Sequence, residues 1–412
     1  MIPLSAEELR GLDLGALHGS GELTGLHIDS RRVGPGDLFV AIRGGSEFVE
    51  DARKRGATTL VPSDEYGAMA AIGRALRARS GARFVGITGS TGKTSTKDIL
   101  AALCAPVVRT VATEGSYNAE LGVPLTLGRV EPDTELCIVE MGMRGPGQIA
   151  ELCAIARPEV GVITAVGPVH LELVGSVEGV ARSKAELVAA LPEGGIAVVP
   201  ESAYLDPHLR SDVDVRRVGT VDVELREDGA HIAFGGEQIF FPLTSRHQAQ
   251  NAFTALTAYE ALGLPLDRLA ASARAVRLSP WRGEELALPG GGFVVNDAYN
   301  ANPTSMEAAL RHLAERGRGR RLVAILGGMA ELGDQAARHH REVAELAGEL
   351  GVEVLAVGEL ARAYGAAAWQ PDAATALAAA WELVRPGDAV LVKASRAVAL
   401  EGIAPGLANE TH

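Results

Sequence analysis

The chain has 412 residues, of which 47% are apolar, 22% charged and only 4% aromatic. That length exceeds what one ordinary core supports and points to two or three domains. The formal net charge of −13 speaks against nonspecific binding to nucleic acid or anionic lipid, while local basic residues and backbone N–H groups can still receive a phosphate.

Residues 1–17 lack the basic start and apolar stretch of a signal peptide. No uncharged apolar run is long enough to span a bilayer, so a cytoplasmic protein without membrane insertion is expected. Cys104, Cys137 and Cys153 sit in apolar runs without metal-type spacing and read as buried free thiols. Residues 1–80 hold short strand-like runs, 38–42 and 59–61, between glycine-rich turns, and then a helix over 68–79.

From residue 81 strands and helices alternate. Strands are predicted at 83–88, 136–140, 160–165 and 196–199, with helices at 94–104, 148–156 and 176–191, the last N-capped by Ser176. The rhythm implies parallel strands joined by crossover helices. Residues 213–241 read as a β meander, and 249–261 as a further helix. From about residue 280 the rhythm returns, with strands at 293–296, 322–326, 354–357 and 389–392. Asn302 and Pro303 form an N-cap and first-turn pair for a helix over 304–315. The region is Rossmann-like but lacks a Gly-x-Gly-x-x-Gly fingerprint. The expected fold is α/β in three domains: a small α/β domain (1–80), a central phosphate-loop domain with a parallel sheet (81–279), and a C-terminal Rossmann-like domain (280–412).

Thr88-Gly89-Ser90-Thr91-Gly92-Lys93-Thr94 follows a predicted strand and opens a predicted helix, the context of a phosphate-binding loop. Its glycines let the backbone wrap a phosphate and aim N–H groups at it. Lys93 adds positive charge, and the Thr94 hydroxyl can ligate Mg2+. The strict pattern wants glycine where Ile87 stands. Glu140 ends a strand, where a carboxylate suits a hard cation; a strand-end surface charge fits equally. His170 follows the strand 160–165, and a lone loop histidine is more often structural than a ligand. On its own, Lys184 reads as a solvated helix lysine.

Motifs in order along the chain change those readings. Gly86-Ile-Thr-Gly-Ser-Thr-Gly-Lys-Thr-Ser-Thr-Lys97, residues 118–126 (NAELGVPLT), Glu140-Met-Gly-Met-Arg-Gly145, Ser183-Lys184-Ala-Glu186 and His247 to Asn251 resemble the central motifs of the Mur ligase family. Asn296-Asp297-Ala-Tyr299-Asn300-Ala-Asn302-Pro303, residues 326–333 (LGGMAELG) and Lys393-Ala-Ser395-Arg396 are similar to its dipeptide-adding branch. Asp29-Ser30-Arg31 and residues 35–41 resemble its UDP-binding region. The likeness runs almost end to end. Departures are a shortened segment at Gly44 to Phe48 without Asp-Gly-His, Ser116 and Ala119 where asparagines are common, and Ala394 in place of a glycine. The Asp-Asn-Pro-Arg motif of the diamino-acid-adding branch is absent.

The resemblance implies ATP-dependent ligation of D-Ala-D-Ala to UDP-MurNAc-tripeptide through an acyl phosphate, by a cytoplasmic, monomeric enzyme of peptidoglycan synthesis. It implies ATP contacts from Gly89, Ser90, Thr91, Gly92, Lys93, Thr94 and Ser95, with Asn251 on adenine and Asp297 on ribose. Thr94 and Glu140 would hold one Mg2+, and His170 with a carbamylated Lys184 a second. Arg282 would reach the phosphates. Ser30, Arg31 and Asn118 would bind the UDP-linked substrate, and Asn300, Asn302, Ser395 and Arg396 would line the dipeptide's entry. The UDP-substrate domain would be the first, the ATPase the second, and catalysis would need domain closure. Rival readings are a ligase adding a diamino acid and a regulatory phosphate-loop NTPase.

Overall fold

The computed structural model describes residues 1–409. Near the N-terminus, strands Gly15–His18, Thr58–Pro62, Asp37–Val40 and Gly25–His27 form a sheet in that order; the first pairing is antiparallel and the others parallel. Helix Glu65–Arg79 leaves this unit, capped by Asp64, whose side chain accepts from the Gly67 N–H. The helix lies tightly on the central unit. A Cβ added at Gly73 would stand 2.8 Å from Ile155 Cγ2 and 3.3 Å from Pro124 Cβ, so only glycine permits that approach. Arg77 donates to the carbonyls of Ala156 and Arg157 and pairs with Glu159. One continuous apolar core joins Leu4, Leu38 and Ile72 to Val139, Ile149 and Val199.

The central sheet is parallel throughout, in the order Asp214–Val218, Ile196–Pro200, Val160–Ile163, Arg83–Thr88, Leu136–Glu140, Thr110–Ala112. The phosphate-loop strand lies in its interior, and buried valine and isoleucine suit a strand covered on both faces. Residues 214–218, expected in the meander, are instead an edge strand of this sheet. Asp214, Arg216 and Arg217 disguise it, because an edge tolerates charge that an inner strand could not. The meander is confined to Val223–Arg226, Gly229–Phe234 and Glu237–Phe241, paired antiparallel. Helix Arg246–Ala261 covers the other face of the sheet beside helix Lys93–Cys104, with Ala252 and Leu256 in one core with Ile87, Ile99 and Leu100.

The third sheet runs Glu284–Leu288, Gly292–Asp297, Ala389–Lys393, Leu322–Gly327, Val352–Val357, Ala368–Gln370. All but the first strand are parallel; that antiparallel edge strand is not among those expected from the sequence. Helix Pro303–Arg316 begins as expected. The Asn302 side chain accepts from the Ser305 N–H, and the Ser305 side chain closes the capping box, an arrangement that contributes about 1 kcal/mol. Cys104, Cys137 and Cys153 are buried free thiols, and burial pushes each up to about 12. Among the described residues, no helix is long and apolar enough to cross a membrane.

Candidate active site

The turn at residues 89–92 joins strand Arg83–Thr88 to helix Lys93–Cys104. Gly89 and Gly92 have φ of 155° and 79°. A Cβ at Gly89 would fall 1.9 Å from Thr164 Oγ1, and one at Gly92 would fall 2.2 Å from Asn251 Oδ1. Glycine is therefore needed at both for backbone angle and for space. Ile87, where the strict pattern has glycine, is strand rather than loop and is fully buried. The register pairs Ile87 with Glu140, which sets the carboxylate beside the mouth of the loop.

A cavity of about 570 Å³ opens there between the central and C-terminal units. Ser90, Thr91, Gly92, Lys93, Thr94, Ser95, Asn118, Glu140, Asn251 and Arg282 line it from one side, and Asp297, Asn300, Asn302 and Arg396 from the other. Lys93 Nζ donates to the Gly89 carbonyl at 2.7 Å. Desolvation lowers its pKa, Glu140 opposes that shift, and Arg282 adds to it. Arg282 lies over the Tyr299 ring at 4.0 Å. Its Nε is buried with no hydrogen-bond partner among the described residues.

Glu140 is 1% exposed. Its Oε1 accepts from Asn118 Nδ2 at 2.7 Å, while Oε2 is buried with no partner among the described residues. An orphaned carboxylate oxygen is costly in a protein interior and fits a cation beside Thr94. Among the described residues no three His, Cys, Asp or Glu side chains form a closed metal cage. One carboxylate with a hydroxyl, completed by phosphate oxygens, is the arrangement Mg2+ favours.

Lys184 is not a solvated lysine. On helix Val177–Ala189 it is 1% exposed, and the charge that acts on it is that of Lys93 rather than a carboxylate. Desolvation, then the charge of Lys93, drives its pKa well below the ordinary lysine value. His170 has φ 52°, and its Nδ1 lies 2.5 Å from Glu331 Oε2 of the C-terminal unit. Glu331 also pairs with Arg144 at 3.4 Å. Neither His170 nor Lys184 is among the residues that line the cavity.

Across the cavity, Asp297 Oδ2 accepts from Lys393 Nζ at 2.6 Å, and the same amine donates to the Asn300 carbonyl at 2.9 Å. Asn302 Nδ2 reaches the Ser90 carbonyl at 3.4 Å, and the Tyr299 hydroxyl bonds to Ser116 Oγ. Ser395 is withdrawn from the lining: it accepts from the Ala330 N–H at 2.9 Å and donates to the Gly328 carbonyl at 2.7 Å, tying two loops together. Arg396 pairs with Glu401 at 2.9 Å and lies over Trp281. In the N-terminal unit Ser30 is nearly buried, and Arg31 folds onto Asp29, holding that carboxyl well below its usual range. Arg32, not Arg31, lines the adjoining cleft of about 140 Å³ with His27 and Arg129. Lys393, Tyr299 and Glu331 lay inside motifs already singled out. Their roles depend on pairings across sheets and domains that spacing does not reveal.

A phosphate loop in a parallel sheet, an orphaned carboxylate at its mouth and a third α/β unit closing over both define an ATP-dependent ligase of the amide-forming kind. The Mur ligase middle domain description matches residues 87–259, the Mur ligase glutamate ligase domain residues 281–396, and the Mur ligase family catalytic domain residues 22–91. The UDP-N-acetylmuramoyl-tripeptide–D-alanyl-D-alanine ligase of Bacillus subtilis is 30% identical, covering 98% of this chain and 97% of its own. The crystal structure of MurF from Acinetobacter baumannii matches with a TM-score of 0.87 at 26% identity, over 99% of each chain. MurF from Thermotoga maritima, solved in complex with ADP, matches with a TM-score of 0.83 at 26% identity, over 94% of this chain and 97% of that one. The chain belongs to the Mur ligase family.

Proposed function

We propose that this enzyme joins D-Ala-D-Ala to UDP-MurNAc-tripeptide at the expense of ATP, giving UDP-MurNAc-pentapeptide for peptidoglycan in the cytoplasm. The observation that carries the reading is the single cavity in which the phosphate loop and Glu140 face Asn300, Asn302 and Arg396. The full-length likeness to ligases of that name supports the same substrates. On this reading residues 1–80 hold the UDP end through Ser30, Arg31 and their neighbour Arg32, residues 81–279 hold ATP, and residues 280–412 close the site.

A carboxylate at neutral pH is a poor acyl donor. Transfer of the γ-phosphoryl group to the tripeptide carboxylate forms an acyl phosphate; the dipeptide amine then attacks its carbonyl, and phosphate leaves. The protein's work is positioning and charge neutralisation. Lys93 and the N–H groups of residues 89–95 cradle the ATP phosphates, and Arg282 neutralises charge from the linker side. Asn251 contacts the nucleotide, Asp297 the ribose, and Asn118 the tripeptide end. Thr94 and Glu140 hold Mg2+, which supplies charge neutralisation at the phosphates when bound. Burial favours Lys184 as the neutral amine that carbamylation with CO2 requires; the resulting carbamate and His170 would hold a second Mg2+. Arg396 can clamp the dipeptide carboxylate through a charge-assisted pair, and Ser395 fixes the loop from which it projects. Phosphate release from ATP with UDP-MurNAc-tripeptide, measured with and without D-Ala-D-Ala, tests the reading. Release that depends on the dipeptide is expected, and a preference for a free diamino acid would overturn the assignment.

A further inference from the structure

Lys97 lies one turn beyond Lys93 on helix Lys93–Cys104 and is 3% exposed. An ammonium buried to that extent must spend its donors on partners, and this one does. Its Nζ donates to the Thr113 carbonyl at 2.7 Å and the Gly115 carbonyl at 2.9 Å, and pairs with Asp98 Oδ1 at 2.7 Å. Each partner leads back to the cavity. Thr113 Oγ1 accepts from the backbone N–H of Glu140 at 3.0 Å. The segment after Gly115 carries Asn118, whose amide holds Glu140 Oε1. Asp98 Oδ2 accepts from the Ser279 N–H at 2.8 Å, three residues before Arg282.

We infer that Lys97 is a positioning residue for the metal-binding carboxylate: one buried ammonium couples the phosphate-loop helix to the segment that aims Glu140 and, through Asp98, to the linker that carries Arg282. Lys97 touches no reacting atom. Without it, residues 113–118 lose the cation that gathers their carbonyls, and Asn118 no longer holds Glu140 Oε1 in one place. The carboxylate survives but its free oxygen is no longer fixed against the phosphates. This inference rests on the reading of Glu140 as the Mg2+ ligand beside ATP.

The test uses the full chain and the variants Lys97→Met, Lys97→Arg, Asn118→Ala and the double variant Lys97→Met/Asn118→Ala. ADP affinity is measured by calorimetry with and without Mg2+, alongside the Mg2+ needed for half-maximal phosphate release. In Lys97→Met the Mg2+-dependent part of ADP binding should weaken by about 10- to 100-fold, the usual effect of removing an orienting partner of a metal ligand. ADP binding without Mg2+ should weaken far less, only through the looser Arg282 linker, and Lys97→Arg should recover part of the loss. The double variant should be no worse than the poorer single variant, because both act on one carboxylate. Wild-type Mg2+ dependence in Lys97→Met, an equal loss of metal-free ADP binding, or additive single effects would each overturn the inference. If Lys97→Met does not fold, Asp98→Asn loosens the same ammonium while keeping an oxygen for Ser279. A smaller shift in the same direction supports the role, and an unshifted Mg2+ requirement overturns it. Failure of the wild-type chain to use D-Ala-D-Ala would count against the substrate reading alone, since the ADP and Mg2+ measurements do not involve the dipeptide.

Discussion

Lys184 carries a charge state that its position in the sequence concealed. Buried beside Lys93 with its pKa well below the ordinary value, it binds fewer protons folded than unfolded. Stability therefore rises with pH from the depressed folded pKa up to the unfolded value of about 10.4, and is sacrificed at neutral pH. Lys184→Met should raise the unfolding free energy at pH 7 by about 0.5–2 kcal/mol while losing most activity, the usual trade at a functional site; urea titration and phosphate release check the two halves. Acetate should partly restore Lys184→Ala by supplying the oxygens of the proposed carbamate. Lys184→Arg should stay inactive, since guanidinium remains charged and takes no CO2. Lys93→Ala should lower kcat by about 100- to 1000-fold, on the scale of a lost preorganised charge, with an unchanged circular dichroism spectrum. Normal turnover in that variant would remove the phosphate-loop role. Spacing and residue type made Lys93 legible, because its chemistry is local. The pairing of Asp297 with Lys393 joins residues facing each other on neighbouring strands, 96 positions apart in the chain, and no local pattern encodes it.

Elements were legible where their signals were short-ranged. The strands Arg83–Thr88 and Leu136–Glu140 and the helix Gln148–Ala156 have the predicted bounds. Ser176 caps its helix by accepting from the Gly179 N–H. The misreadings fall at sheet edges: Asp214–Val218 is too charged to look like a parallel strand, and Glu284–Leu288 too short and polar to announce itself. The cap at Asn302 serves two purposes, since its side chain also reaches the Ser90 carbonyl. Asn302→Ala should cost about 1 kcal/mol of stability and raise the KM for ATP. Asn302→Asp, which keeps the cap acceptor but cannot donate to Ser90, should recover the stability and not the KM. Recovery of both would confine Asn302 to capping.

Between the central and C-terminal units the contacts are polar: Ser90 with Asn302, Ser116 with Tyr299, Arg246 with Glu315, Gln248 with the Arg282 carbonyl, and His170 and Arg144 with Glu331. His247 and His312 add an edge-on ring contact at 6.2 Å. Burial pushes His312 down to about 4, against about 6.5 in an unfolded chain. The neutral ring's contribution is complete above pH 6.5 and declines as pH falls from there towards 4. Between pH 7 and pH 5 this one group should remove about 2 kcal/mol. Denaturation midpoints of the wild type and His312→Gln at both values check this: the variant should be the less acid-sensitive.

The opposite border is built from other material. There Leu38, Met69 and Ile72 share a single apolar core with Ile149 and Leu187, and such cores yield as a unit rather than slide. A chain with two borders thus has one joint. Heating should melt the first two sheets together in one calorimetric peak, with the third free to give its own, and nucleotide should shift the spacing between the peaks. In mechanical terms, on the proposed function the UDP end of the substrate would be held on an anvil of fixed geometry, and the travel needed to bring amine to acyl phosphate would fall to the C-terminal unit.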